Sequence, residues 1–136
     1  MSDILWIKWA CFISYPHAWG NLVKDFAKQL KDALENELGS LLNLPVYMDE
    51  DRLRPGFDYG QALSTAICES VCMIVIFSPV YEEKTYCLRE FLAMERIEAK
   101  RRKKLGRRHL EPHRMIIPIV LRGINNLPPK IKIVLS

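Results

Sequence analysis

A tyrosine and a glutamate one helical turn apart, two serines that each close an apolar run, four cysteines and three histidines are the residues of this chain whose types and spacing bear on chemistry. Tyr86 and Glu90 lie four positions apart in a helical pattern, so ring and carboxylate share a face and can approach one ligand together. On spacing alone, Glu90 reads as a solvated helix charge beside Arg89, since most helix glutamates are surface charge. Ser14 and Tyr15 follow one apolar run, and Ser78 follows another, with Tyr81 three residues on. Residues of these types also serve simply as turns and caps. Cys11, Cys68, Cys72 and Cys87 sit inside apolar segments, the pattern of core thiols in a reducing compartment. Cys68 and Cys72 are four apart, one turn if helical, but no Cys-x-x-Cys knuckle or neighbouring histidine completes a ligand set. His17, His109 and His113 are too dispersed for a metal site, and no serine pairs with a His/Asp set at recognisable spacing. No metal is expected.

The elements that must position these residues follow from hydrophobic periodicity. Trp9 to Ser14 is a short apolar strand stopped near Pro16. Trp19, Leu22, Val23, Phe26, Ala27, Leu30, Leu34 and Leu38 recur at helical spacing, which predicts an amphipathic helix ending near Gly39. Residues 44–48 form a second strand, residues 49–56 an exposed acidic loop punctuated by proline and glycine, and residues 59–69 a second helix. The unbroken apolar run 71–77 is the pattern of a central parallel strand covered on both faces. A third helix over 86–102 and a strand over 115–121 follow, and residues 131–135 could add a fifth, edge strand. Alternating strands and helices imply an α/β fold with a parallel, doubly wound sheet. In such a sheet ligands bind outside the carboxyl ends of the strands, where Ser14, the 49–56 loop, Ser78 and the start of the third helix converge.

At 136 residues with 49% hydrophobic content, the chain reads as a single domain over 1–136, either short of its last helix or part of a longer chain. The apolar N-terminus is interrupted by Lys8 and reads as a strand, not a secretion signal, and no run approaches the roughly 20 residues that span a bilayer. A cytoplasmic protein without membrane contact is expected. Seven of the twenty Lys/Arg residues fall within 100–109, although the net charge is only +4. That run lacks interleaved aromatics and matches no nucleic-acid motif, so it reads as a solvated helix end, and nucleic-acid binding is not expected. A phospho-acceptor receiver domain would need acidic residues where Ser14-Tyr15 and Ser78-Pro79 stand.

Phe12-Ile13-Ser14-Tyr15, then Tyr47-Met48-Asp49-Glu50-Asp51-Arg52-Leu53-Arg54-Pro55-Gly56, then Phe77-Ser78-Pro79-Val80-Tyr81 with Tyr86-Cys87-Leu88-Arg89-Glu90, together resemble the ordered motifs of Toll/interleukin-1 receptor (TIR) domains. The resemblance runs from the first strand to about Pro129 and implies a flavodoxin-like sheet of order 2-1-3-4-5. It is similar to bacterial TIR effectors that cleave NAD+ at the nicotinamide bond, in defence against phage. It implies that Glu90 is catalytic, in the position of the glutamate of the family's Trp-Cys-x-x-Glu motif, with Tyr86 replacing the tryptophan. Ser14, Tyr15, Arg54, Ser78, Tyr81 and Tyr86 become candidate substrate contacts. Asp49, Asp51, Arg52, Pro55 and Gly56 fall in the family's BB loop, which packs against neighbouring domains during assembly. No Gly-x-Gly-x-x-Gly follows the first strand, so NAD+ is expected as substrate and no cofactor is expected. Other TIR domains, in a homo-oligomer or filament, and a fused or associated sensor domain are the implied partners. The alternative within the family is a non-catalytic adaptor acting through TIR–TIR contacts.

Overall fold

The structure, a computed structural model, describes residues 7–16, 22–48, 59–79, 81, 84–105 and 115–121. The elements in chain order are β1 (Trp9–Ser14), α1 (Leu22–Leu42), β2 (Val46–Met48), α2 (Tyr59–Cys68), β3 (Ser70–Phe77), α3 (Thr85–Leu105) and β4 (Ile116–Val120). Their order and type match the periodicity, with differences of a few residues at the ends. The largest concerns α1, which passes through Gly39 and ends after Leu42. Asn43 takes the left-handed conformation at φ 53° that closes a helix, and its N–H donates to the Gly39 carbonyl at 3.0 Å. The expected strand at 131–135 and the loop at 49–56 lie outside the described residues.

All four strands run parallel in the order β2-β1-β3-β4. The sheet turns outward in opposite directions from β1 and β3, which places the switch in strand order between their carboxyl ends. Side chains alternate across the sheet with period two, and the two faces feed two cores. Phe12, Met73, Val75 and Phe77 face one core with Leu63, Ile67, Phe91 and Met94 from α2 and α3. Cys11, Ile13, Ile74 and Ile76 face the other, covered by Ala27 and the Val23, Phe26, Leu30, Leu34 and Leu38 stripe of α1. Phe12 is also paired in register with Tyr47 of β2, the rings stacked at 5.0 Å. Leu22, first in the described α1, is an exception to the predicted stripe, being exposed.

The α3 helix explains how polar groups enter this interior. Cys87, Glu90, Phe91, Met94 and Glu98 fall on one stripe at spacings of three and four, and all five are buried. Glu98 accepts the Met115 N–H at 2.7 Å and pairs with Arg102 at 3.6 Å, which fastens α3 to the start of β4. Arg101, read from the sequence as part of a solvated basic end, instead donates to the carbonyls of Cys68 at 3.0 Å and Val71 at 3.1 Å. Lys100, Lys103 and Lys104 are exposed, as expected for that run.

Two stability outcomes follow. Met94→Ala empties a fully buried site and should cost about 2–5 kcal/mol in chemical denaturation. A Cβ at Gly39 meets nothing within 4 Å, so Gly39→Ala should stabilise by about 0.5–1 kcal/mol in the same measurement, since glycine loses more chain entropy in a helix.

Candidate functional site

Ser14 is the last residue of β1 and, by alternation, points to the same face as Phe12, toward α3. Its Oγ donates to Glu90 Oε1 at 2.9 Å. The same oxygen lies 2.7 Å from the Tyr81 hydroxyl. Tyr81 Oη in turn donates to the Cys87 carbonyl at 3.1 Å, one turn before Glu90 on α3. Groups from β1, from the turn after β3 and from α3 therefore meet outside the carboxyl end of β1, beside the switch in strand order.

Tyr81 is placed by a turn after β3, in which its N–H donates to the Ser78 carbonyl at 2.9 Å. Its own carbonyl accepts the Lys84 N–H at 3.2 Å, and the Lys84 carbonyl receives the Cys87 and Leu88 N–H groups as α3 begins. The ring packs in the core beside Phe77, centroids 6.2 Å apart. Helix α3 thus starts at a fixed distance from the strand end, and its first core-facing carboxylate arrives over Ser14.

Glu90 is only 4% exposed. The reading of it as a solvated helix charge is overturned by this burial: the residue lies on the stripe of Cys87, Phe91 and Met94, and Arg89 is the exposed neighbour. Burying a carboxylate is costly unless hydrogen bonds hold it, which is the role Ser14 fills. Tyr86 is half-buried one turn earlier and packs against the same core, so the four-residue spacing does bring ring and carboxylate to one side of α3. Tyr15 is buried in the opposite core, among the α1-facing side chains, and so is not gathered with Ser14, Tyr81 and Glu90. Ser78 is also buried, and its Oγ has no hydrogen-bond partner among the described residues. A buried hydroxyl left so costs about 1–3 kcal/mol, a debt that a polar ligand at the strand end would remove. Arg54, Asp49, Asp51, Arg52, Pro55 and Gly56 lie outside the described residues.

What spacing missed was the contact map of the polar groups. Glu90 and Glu98 both fall on the apolar stripe of α3, and that placement is the signal available in the sequence. The Ser14–Tyr81 bond has none, because its partners come from different elements. Among the described residues, no group of three or more His, Cys, Asp or Glu side chains is arranged to hold a metal ion, and no helix is long and apolar enough to cross a membrane.

The cysteines depart from the expectation of four core thiols. Cys68 ends α2 and is exposed, whereas Cys72 lies in β3, so the two do not share a helix. Cys72 is instead the register partner of Cys11 on β1, with the sulfurs 3.4 Å apart. Its S–H points at Cys11, which lowers the Cys11 thiol below its ordinary value. Contact with Cys11 and burial together push the Cys72 thiol far up. Among the four thiols, Cys68 should therefore react first with iodoacetamide at pH 7–8, followed by peptide mass spectrometry, because a buried thiol is shielded and a raised one holds little thiolate.

A search of curated proteins finds no match to the chain. Among solved structures it is similar to the TIR domains in the activated Roq1 resistosome directly recognizing the pathogen effector XopQ, at 24% identity and a TM-score of 0.57, covering 81% of this chain and 55% of that one. It is also similar to a metazoan TIR-STING receptor from C. gigas, at 20% identity and a TM-score of 0.62, covering 91% of this chain and 35% of that one. The chain spans less than two thirds of either, and at these identities the likeness is one of fold. The TIR domain family model matches residues 11–134. The parallel sheet order agrees with that match, and the chain belongs to the TIR domain family.

Proposed function

We propose that this TIR domain is an NAD+ glycohydrolase with Glu90 as its catalytic carboxylate. The observation that carries the reading is a glutamate buried at the carboxyl end of a parallel sheet, beside its topological switch, and held there by a serine hydroxyl. Ligands of open α/β sheets bind at that place, outside the carboxyl ends of the strands at the switch in strand order.

The chemistry asks little of the protein. Nicotinamide leaves NAD+ as a neutral molecule, so the C1′–N bond breaks with its electron pair going to the ring nitrogen and without a general acid. Positive charge then grows on the ribose C1′ and ring oxygen. A fixed carboxylate near that charge stabilises it more than water does, because its orientation is set before the reaction. Water adds at C1′ and loses a proton, giving ADP-ribose, nicotinamide and H+; capture by a nucleophile within the adenine gives a cyclic isomer instead. Tyr86 supplies an aromatic face one turn from Glu90, and the Ser78 hydroxyl is a donor for a ribose or phosphate oxygen. The ring in place of the family's tryptophan retains a stacking surface while reducing its area.

Assembly belongs to the same reading. The similar Roq1 structure is a resistosome, and we infer that copies of this domain associate when activated, through the 49–56 segment among others, in a cytoplasmic defence role. Catalysis is then weak in dilute solution and rises on clustering.

Concentrated protein, alone and clustered through a fused multimerising tag, should release nicotinamide from NAD+ in a chromatographic assay. Glu90→Gln, which keeps the shape and removes the charge, should lower the rate by about 100-fold or more. If the clustered wild type releases none, the protein is a non-catalytic adaptor that works through TIR–TIR contacts.

A further inference from the structure

The Tyr81 hydroxyl touches both Ser14, which bonds Glu90, and the turn of α3 that carries it. On one side it lies 2.7 Å from Ser14 Oγ, the group that donates to the Glu90 carboxylate. On the other it donates to the Cys87 carbonyl at 3.1 Å, in the helical turn from which Glu90 projects. Tyr81 is 1% exposed and Ser14 is 1% exposed, so bulk water does not compete for these bonds. A phenol is not required to fill this space: the ring packs beside Phe77 in the core that also holds Phe91 and Met94, and phenylalanine would fill it as well. The hydroxyl needs a separate reason.

We propose that Tyr81 is a positioning residue for Glu90, acting through Ser14. A serine hydroxyl rotates freely about its Cα–Cβ and C–O bonds, and its proton can point to any acceptor within reach. With the Ser14 proton on Glu90, the proton in the 2.7 Å contact is the phenol's, shared between Ser14 Oγ and the Cys87 carbonyl; by donating to one side of Ser14 Oγ, Tyr81 leaves the serine proton to the Glu90 side. The carboxylate is thereby held in one rotamer, at a fixed place relative to both the strand end and the first turn of α3. The contact also couples the two elements: displacement of α3 along its axis moves the Cys87 carbonyl and Glu90 together, and Tyr81 resists both. A substrate contact, the role that sequence resemblance suggested for Tyr81, does not require either bond, and the buried phenol has its hydroxyl committed within the protein.

The kinetic part of this proposal rests on the glycohydrolase reading, so two measurements separate the failures. Carbon-13 NMR of the Glu90 side-chain carboxyl reads its surroundings without turnover. Tyr81→Phe, which removes the hydroxyl beside Ser14 Oγ and leaves Glu90 itself unchanged, should shift that resonance, and Ser14→Ala should shift it further. An unmoved resonance in folded Tyr81→Phe overturns the proposal whether or not the protein cleaves NAD+. In the nicotinamide assay on the clustered protein, Tyr81→Phe should lower kcat about tenfold with KM nearly unchanged, the signature of a support felt in the transition state. Added to Ser14→Ala, it should lower kcat little more, since the two act in series. Effects that multiply, or a loss confined to KM, would show that Tyr81 acts on its own or on substrate. A wild type without activity would defeat the glycohydrolase reading and leave the NMR result to decide the positioning role.

Discussion

A carboxylate placed in a protein interior must find hydrogen-bond donors, and in this chain the requirement organises the site. Glu90 is buried on the inward stripe of α3, and the Ser14 hydroxyl at the end of β1 donates to it at 2.9 Å. Meeting that requirement dictates how far β1 extends, which way Ser14 points, and where α3 begins after β3. Each of these is in turn secured by apolar packing. Phe12 and Phe77 hold the strand ends, while Phe91 and Met94 hold the helix against them. Polar geometry is therefore inherited from the core, and any slip of register by one residue would turn Ser14 to the α1 face.

The fold confines this arrangement to one end of the sheet. Parallel strands direct all their carboxyl ends the same way, and the order β2-β1-β3-β4 opens a crevice where connections leave in opposite directions. Helix α1 closes one face with a continuous apolar stripe, and α2 with α3 closes the other. Other polar groups among the described residues have structural tasks. Glu98 secures β4, Arg101 satisfies carbonyls at the end of α2 and the start of β3, and Ser70 Oγ donates to the Ala66 carbonyl at 2.7 Å. Ser78 Oγ stands apart from these, since it lies at the strand ends and has no partner among the described residues.

Burial by itself does not make a glutamate catalytic. Glu98 is as well hydrogen-bonded as Glu90 and lies two turns along the same helix, yet it faces β4 and serves packing. The difference between them is position: Glu90 stands at the carboxyl end of the sheet, bonded to the last residue of β1 and one turn from the aromatic Tyr86, and Glu98 is bonded at the start of β4. Function in this fold is a matter of location relative to the strand ends.

The elements were legible in the sequence because periodicity carries them. The run 71–77 reads as a strand covered on both faces, which holds from Met73 to Phe77 while Val71 is exposed, and the spacing of Val23, Phe26, Leu30, Leu34 and Leu38 reads as one side of a helix. Four parallel strands, their order and the motif residues Ser14, Ser78 and Glu90 were accessible on the same grounds or through family resemblance. Periodicity states which face a residue occupies but not what waits there. The Ser14–Glu90 bond joins residues 76 apart, the Ser14–Tyr81 bond residues 67 apart, and the Cys72–Cys11 contact residues 61 apart. The same limit explains the misread cysteines and Arg101, whose partners are carbonyls and sulfurs on other elements. Local sequence determined the strands, the helices and the identity of the chemical groups. Only the packing of helices against the sheet decided which groups met, because distance between elements is set by the summed shape of the core and by no single residue.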